Sequence, residues 1–120
     1  MTAPAWPTSL TFDSQRKALS IVFDDGARFD IPYELLRAES PSAAVRGHHA
    51  GPPPAVGGKS GVGVANAAHV GRYAVRIVFD DGHDSGLYSW ALLRDLGENL
   101  ETRWQAHLAR LAAAGLSREA

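Results

Sequence analysis

The densest group of side chains with catalytic or metal-binding chemistry is His83, Asp84 and Ser85, which stand between Gly82 and Gly86. Histidine, aspartate and serine make up a hydrolytic triad, and imidazole and carboxylate groups also bind metal ions. A triad needs the three groups to converge in space, whereas neighbours on a strand point to alternate faces. The string also differs from the nucleophile elbow G-x-S-x-G, because its middle residue is Asp84. Coordination or hydrogen bonding is therefore the chemistry that these residues suggest.

Other chemical signatures are incomplete. Gly58-Lys59-Ser60 is similar to the end of a P-loop, but Pro53 occupies the place of the first glycine, and the following segment is typical of a strand instead of a helix. The five histidines form no H-x-x-x-H or H-x-D pair, so the usual two-ligand core of a non-haem iron site is missing. The chain has no cysteine, which excludes disulfides, thiolate zinc sites, Cys-ligated iron–sulfur clusters and cysteine nucleophiles.

The elements that position these residues belong to an internal repeat. The hexapeptide IVFDDG occurs at 21–26 and again at 77–82, and each copy precedes a Leu-Leu-Arg string, at 35–37 and 92–94. Apolar β-formers that run into Asp-Gly predict a strand followed by a hairpin turn. Each hairpin then leads into a short helix. The acidic pairs are interpreted as turn residues, and the alternative is a pair that binds a cation.

The repeat also serves as an internal control for function. Residues that both copies share are expected to be scaffold, and polar residues found in only one copy become candidates. The first turn continues into Ala27, Arg28 and Phe29, whereas the second continues into three polar residues. We therefore expect a functional surface formed by Arg46, His48, His83, Asp84 and Ser85. The candidate metal ligands are His83, Asp84 and His48, and the alternative is that His83 and Asp84 only hydrogen-bond the long loop and order it.

The rest of the pattern predicts an α+β fold, in which two similar hairpin–helix units form a small, mostly antiparallel sheet. A single domain is expected over 9–115, with flexible tails at 1–8 and 116–120 and a long Pro/Gly-rich loop at 38–59. Ser89 is expected to cap a helix that ends at Gly97. An amphipathic helix over 98–114, closed by Gly115, should pack on the sheet. The expected core residues are Phe23, Phe79, Trp90, Leu93, Leu100, Trp104 and Leu108.

His107 falls on the apolar stripe of this C-terminal helix, where we interpret it as a hydrogen-bonded rim residue, with a ligand role as the alternative.

The composition of the chain argues against two classes of partner, nucleic acids and membranes. The formal net charge of −1 argues against nucleic acid, and no apolar run is long enough to cross a bilayer. The first ten residues lack the charged and apolar regions of a secretory signal, so a cytoplasmic location is expected.

Several strings together resemble one known family. Residues 79–86, continued by Tyr88 and Trp90, closely resemble the signature of the γ-butyrobetaine hydroxylase-like N-terminal domain family. Residues 71–75, 40–42 and 46–48 carry further similarity, so that the resemblance covers about residues 9–114. Members of that family occur alone in bacteria, fused to iron–sulfur carrier P-loop ATPases, and ahead of the catalytic domain of γ-butyrobetaine and trimethyllysine dioxygenases.

The resemblance implies a structural zinc site, from which this chain departs. In the dioxygenases, three cysteines in a C-P-C-x-x-C string and one histidine of a D-G-H string bind the zinc. Here Ser40, Ser42 and Val45 stand at the cysteine positions and His83 at the histidine. Serine hydroxyls are poor zinc ligands because they lack the charge and softness of a thiolate. We expect no stoichiometric zinc; the alternative is a weaker site rebuilt from other residues.

The expected function is that of an accessory or interaction module without catalytic activity of its own. The resemblance implies a link to iron or iron–sulfur metabolism and a larger protein partner, while the oligomeric state stays open. A 2-oxoglutarate dioxygenase needs a barrel of about eight strands, more than the roughly six that this chain offers. The alternative function is a metal-binding oxidoreductase component that uses His83, Asp84 and His48.

Overall fold

The computed structural model describes residues 6–39, 57–72, 74–81 and 86–119. The first unit contains β1 (Pro7–Asp13), β2 (Ala18–Phe23), β3 (Arg28–Pro32) and α1 (Tyr33–Ala38). The second contains β4 (Val64–Val70), β5 (Ala74–Phe79), β6 (Gly86–Ser89) and α2 (Trp90–Glu98), and α3 (Leu100–Ala113) follows. The strands form two antiparallel sheets of three, in the orders β1-β2-β3 and β4-β5-β6. The predicted α+β fold of two similar units is confirmed, with two sheets in place of one.

The structural repeat extends beyond the sequence repeat. Strands β1 and β4 have no identical residue at equivalent positions, yet each carries a shift in register near its start, between Pro7 and Ser9 in β1 and between Val64 and Asn66 in β4. The same backbone hydrogen bond precedes each shift. Asp24 N–H donates to the Trp6 carbonyl at 2.7 Å, and Asp80 N–H donates to the Gly63 carbonyl at 2.8 Å. Trp6 and Gly63 therefore occupy equivalent positions in the two units.

The core lies between the two units. Side chains from β2, β5, both short helices and their flanking strands form one buried apolar cluster, which includes Leu19, Ile21, Phe23, Ile31, Leu35, Leu36, Ile77, Phe79, Tyr88, Leu93 and Leu96. Four of the expected core residues are buried as predicted: Phe23, Phe79, Trp90 and Leu93. The prediction is wrong for Leu100, Trp104 and Leu108, which are only partly buried. Their helix α3 packs on α1 and α2 from outside, so only part of its stripe is covered.

Helix α2 begins as predicted and ends differently. The Ser89 hydroxyl accepts a hydrogen bond from Leu92 N–H at 3.1 Å, which confirms the N-cap. Gly97 does not end the helix, which continues through Glu98. Gly97 is buried, and a Cβ at this position would lie only 2.4 Å from Cγ of Phe29. The glycine is therefore needed for close packing of α2 against β3.

Helix α3 begins at Leu100, two residues later than predicted, because Asn99 separates it from α2. Its C-terminal glycine is confirmed: Gly115 has φ of +70°. Leu116 N–H donates to the Leu111 carbonyl at 2.9 Å and Gly115 N–H to Ala112 at 3.2 Å, which are the two bonds of a Schellman motif. No helix of the described ranges has the length and apolar character needed to cross a membrane.

Candidate functional site

The residues expected to form the functional surface are not among those that the structure describes. They are Arg46, His48, His83, Asp84 and Ser85, and the zinc-equivalent positions Ser40, Ser42 and Val45 lie outside the described residues as well. The described chain reaches both segments at their ends, because Asp81 directly precedes 82–85 and Gly57 directly follows 40–56. The surface and its metal ligands stay a prediction. The structure describes the corner of the fold from which these segments leave, at Asp81 and Gly57.

That corner is organised around Asp81. Its Oδ2 atom lies 2.9 Å from Nε of Arg37 and 2.6 Å from Nζ of Lys59. Arg37 is on α1 and Lys59 is the last residue of the long loop, so one carboxylate joins the first unit, the second turn and the end of the loop. The Arg37 and Asp81 side chains are 17% and 19% exposed, so water screens this pair only in part.

A cavity of about 560 Å³ opens beside this corner. It is lined by Gly58, Lys59, Ser60, Gly61, Val62, Asp80, Asp81 and Glu119. Backbone hydrogen bonds hold one wall in place, since Gly58 and Ser60 donate to the carbonyls of Ser117 and Arg118 at 2.8 and 3.0 Å. Among the described residues, three carboxylates and one ammonium group line the cavity, and Arg37 and Lys59 hold the Asp81 carboxylate in place.

A second ion pair mirrors the first. The Arg94 guanidinium binds Asp25 with both amino groups, Nη2 to Oδ2 at 2.9 Å and Nη1 to Oδ1 at 3.1 Å. It also lies 5.0 Å from the ring centroid of Phe23, in a cation–π contact. The hydrogen bond from Arg94 holds the pKa of Asp25 below its usual value. Both acids belong to the hexapeptide and both arginines to Leu-Leu-Arg.

The two repeated strings, the hexapeptide and Leu-Leu-Arg, therefore bind each other across the two units. Arg37 of the first unit binds Asp81 of the second, and Arg94 of the second binds Asp25 of the first. In each turn, the second aspartate of the acidic pair receives an arginine from the opposite unit. Turn chemistry is present as well, because Ala27 N–H donates to Asp25 Oδ1 at 3.1 Å. The second aspartate of each pair therefore also forms an ion pair with an arginine of the same chain.

A buried polar cluster between α1 and α3 was not anticipated. Glu34 is 4% exposed and His107 is fully buried, with Glu34 Oε2 and His107 Nε2 2.8 Å apart. The Arg118 guanidinium donates to both oxygens of Glu34, at 3.0 to 3.1 Å. The hydrogen bond to Glu34 raises the pKa of Arg118. His107 is hydrogen-bonded as expected, but the rim position was wrong, because the side chain is fully buried against Glu34 of α1 and the Trp104 ring.

A second buried carboxylate, directly after the end of α1, is used in the same way. Glu39 is 3% exposed, and its oxygens accept from Arg103 at 2.9 Å and from Arg110 at 3.3 Å. Arg103 also pairs with Asp95 of α2. These contacts attach α3 to both short helices. Within the described ranges, no three His, Asp or Glu side chains are grouped so that they could hold a metal ion.

Comparison with known proteins decides the family. The family model described as "Gamma-butyrobetaine hydroxylase-like, N-terminal" matches residues 10–94. The chain belongs to this family. The match includes both units of the repeat up to the arginine of the second Leu-Leu-Arg. A search of curated proteins finds no match.

Solved structures carry the same fold. One protein studied by solution NMR is 46% identical, with a TM-score of 0.83 over 98% of this chain and 90% of that one. A second NMR structure is 38% identical, with a TM-score of 0.83 over 98% and 92%. A crystal structure from Acidithiobacillus ferrooxidans, of a protein with unknown function in the DUF971 family, is 31% identical with a TM-score of 0.64, over 75% of this chain and 90% of that chain.

Proposed function

We propose that this γ-butyrobetaine hydroxylase-like N-terminal domain is an accessory module that binds a larger protein and does not catalyse a reaction on its own. The observation that carries the proposal is the pairing of the charged residues that the repeat shares. Asp25, Asp81, Arg37 and Arg94 are four of the six ionisable residues that the repeat preserves, and all four are engaged in ion pairs between the two units. Groups held in this way support a fixed shape, which a binding module requires.

The buried charges support the same proposal. Glu34 and Glu39 are each satisfied by two basic side chains that join α1 to α3 or to the C-terminal segment. A buried carboxylate with an altered pKa and access to a cleft would suggest an acid or base in catalysis. Here the two carboxylates are buried and link the helices through their ion pairs. These charged side chains thus stabilise the packing of the helices.

The kind of partner is proposed from family membership. The family resemblance links such domains to iron–sulfur carrier ATPases and to iron-dependent dioxygenases. We propose that this chain serves an iron or iron–sulfur protein in the cytoplasm. The competing function is a metal-binding oxidoreductase component that uses His83, Asp84 and His48.

The test is purification of the tagged chain from its own cells, followed by cross-linking and identification of the bound protein. One larger protein in a fixed ratio, with no turnover by the isolated chain, is the expected result. Iron-dependent consumption of 2-oxoglutarate by the isolated chain, abolished in His83→Ala, would overturn the proposal and favour the competing function, a metal-binding oxidoreductase component. The matched control is Asn66→Ala, an exposed residue of β4 outside the cavity and the ion pairs.

A further inference from the structure

A second groove, lined by other residues than the first cavity, carries an independent set of features. It has a volume of about 410 Å³ and is lined by Trp6, Pro7, Thr8, Ser9, Leu10, His69, Arg72 and Trp90. Five of these residues are consecutive. Successive side chains of a strand point to opposite faces, so a groove that meets five in a row runs along the edge of the strand. The groove therefore follows the N-terminal half of β1.

This edge of β1 is free to pair. In the described sheets β1 pairs with β2 alone, and β1 is an outer strand. A free strand edge presents a row of backbone N–H and C=O groups that suit an added extended chain. Trp6 is held at the start of this edge through its backbone, which donates to Asp24 Oδ1 at 3.2 Å and accepts from Asp24 N–H. Its ring is left 44% exposed over the groove.

The two units differ at this place. Trp6 is equivalent to Gly63, as the shared hydrogen bond shows. The first residue of each short helix packs against the penultimate residue of an outer strand: Phe12 with Tyr33 at 6.3 Å between ring centroids, and His69 with Trp90 at 6.0 Å. The first unit thus has phenylalanine and tyrosine where the second has histidine and tryptophan. By the logic of the internal control, these unshared residues mark a functional surface.

The charge of the groove defines the chemistry of its ligand. Among the described residues of the lining, His69 and Arg72 are the only ionisable ones, and both are basic. The Arg72 carbonyl accepts from Trp90 Nε1 at 2.7 Å, which fixes the backbone, while its guanidinium forms no ion pair within the described residues. An arginine that lines the same groove as two tryptophans is suited to a carboxylate carried on a chain with apolar neighbours.

We propose that the groove binds an extended acidic segment of a partner protein. The segment adds as a strand to the free edge of β1, packs its side chains against Trp6 and Trp90, and places a carboxylate on Arg72. This inference rests on the proposed function, since it names the surface and the chemistry of the partner. Stacking rings with an arginine also suit single-stranded nucleic acid, but the free strand edge and the net charge of −1 favour a peptide.

The test begins with short random peptides displayed on phage and selected on the whole chain. Enriched peptides should carry Asp or Glu among β-forming residues. Their affinity should fall about tenfold in Arg72→Glu and in Trp6→Ala, and should weaken as salt rises to about 0.5 M. Methylation of alternate peptide nitrogens should weaken binding, because it removes donors to the β1 edge. Amide shifts should concentrate at Trp6–Leu10.

Two matched variants control for charge and exposure. Arg76→Glu reverses an exposed charge on β5 away from the groove, and Leu87→Ala truncates a side chain that is as exposed as Trp6, at 44%. Neither should change the affinity. The inference is overturned if no peptide is enriched above an unrelated target, if the enriched peptides are not acidic, if the controls weaken binding as much, or if oligo(dT) competes more strongly than the peptides.

The same variants separate this inference from the proposed function. If wild type, Arg72→Glu and Trp6→Ala retain the same larger partner equally, the accessory function stands and the groove is excluded as its surface. If the acidic peptides bind as expected while purification yields no larger partner, the groove stands as a peptide site and the accessory function fails.

Discussion

Replacement of Gly97 by alanine is the sharpest test of how the two units are packed. A Cβ at this position would lie 2.4 Å from Phe29 Cγ and 2.8 Å from both its Cβ and Cδ1. Rotation of the Phe29 ring cannot remove the contact with Cβ, which the β3 backbone holds. In an ordinary helix interior the change from glycine to alanine would stabilise by about 0.5–1 kcal/mol. Overpacking of this kind costs about 1–3 kcal/mol.

We therefore expect Gly97→Ala to lower the free energy of unfolding by about 1–2 kcal/mol. The measurement is urea unfolding followed by circular dichroism. Gly61→Ala is the matched control, because its added Cβ meets no atom within 4 Å, and its effect should stay within about 0.5 kcal/mol. In a Phe29→Ala background the loss from Gly97→Ala should shrink, since the ring atoms are gone. A stabilised Gly97→Ala protein, or an equal loss in both backgrounds, would refute this account of the packing.

Four further outcomes are expected. Glu34→Ala should cost about 3–5 kcal/mol in urea unfolding, because it leaves the buried imidazole and a guanidinium without their partner; a loss near zero would contradict the role of this cluster. The pKa of Asp25 is lowered in the folded state, so its ion pair with Arg94 adds stability above about pH 4 that is lost as pH falls further. The difference in free energy of unfolding between wild type and Arg94→Gln should therefore shrink from about pH 5 to about pH 3, and a constant difference would refute the pair. Gly115→Ala should cost about 1–2 kcal/mol, because φ is +70° there; an unchanged midpoint in thermal unfolding would argue against the Schellman cap. Elemental analysis after dialysis should find no stoichiometric zinc, whereas about one zinc per chain, lost in His83→Ala, would show a rebuilt site.

Local signals in the sequence were sufficient for the hairpins and the caps. Asp-Gly after a run of β-formers predicted each turn, Ser89 predicted the start of α2, and Gly115 predicted the end of α3, because each depends on residues close in the chain. Gly97 was misread because a glycine near a helix end can serve as a cap or permit a close contact. Only the position of Phe29 distinguishes the two uses.

Interactions between distant segments could not be predicted in this way. The repeat revealed Asp81 and Arg37 but not that each acid pairs with the opposite arginine. Glu34 follows the first residue of a helix, where an acid is favourable on an exposed surface, and its burial depends on α3 and Arg118. The predicted site residues lie outside the described chain and stay a prediction. Trp6 was assigned to a tail, and the signal that identifies it is its equivalence to Gly63, which appears only in the backbone pairing.

The reciprocal ion pairs have a consequence for how this fold can vary. Residue i of one unit contacts residue j of the other, and j contacts i, which is the pattern of an isologous interface in a two-fold symmetric homodimer. In a true homodimer every substitution appears twice, so both ends of the molecule must change together. Joining the halves in one polypeptide removes that constraint. One end can keep Gly63 and Phe12 for packing while the other takes Trp6 and His69, and a symmetric scaffold acquires a single, oriented face.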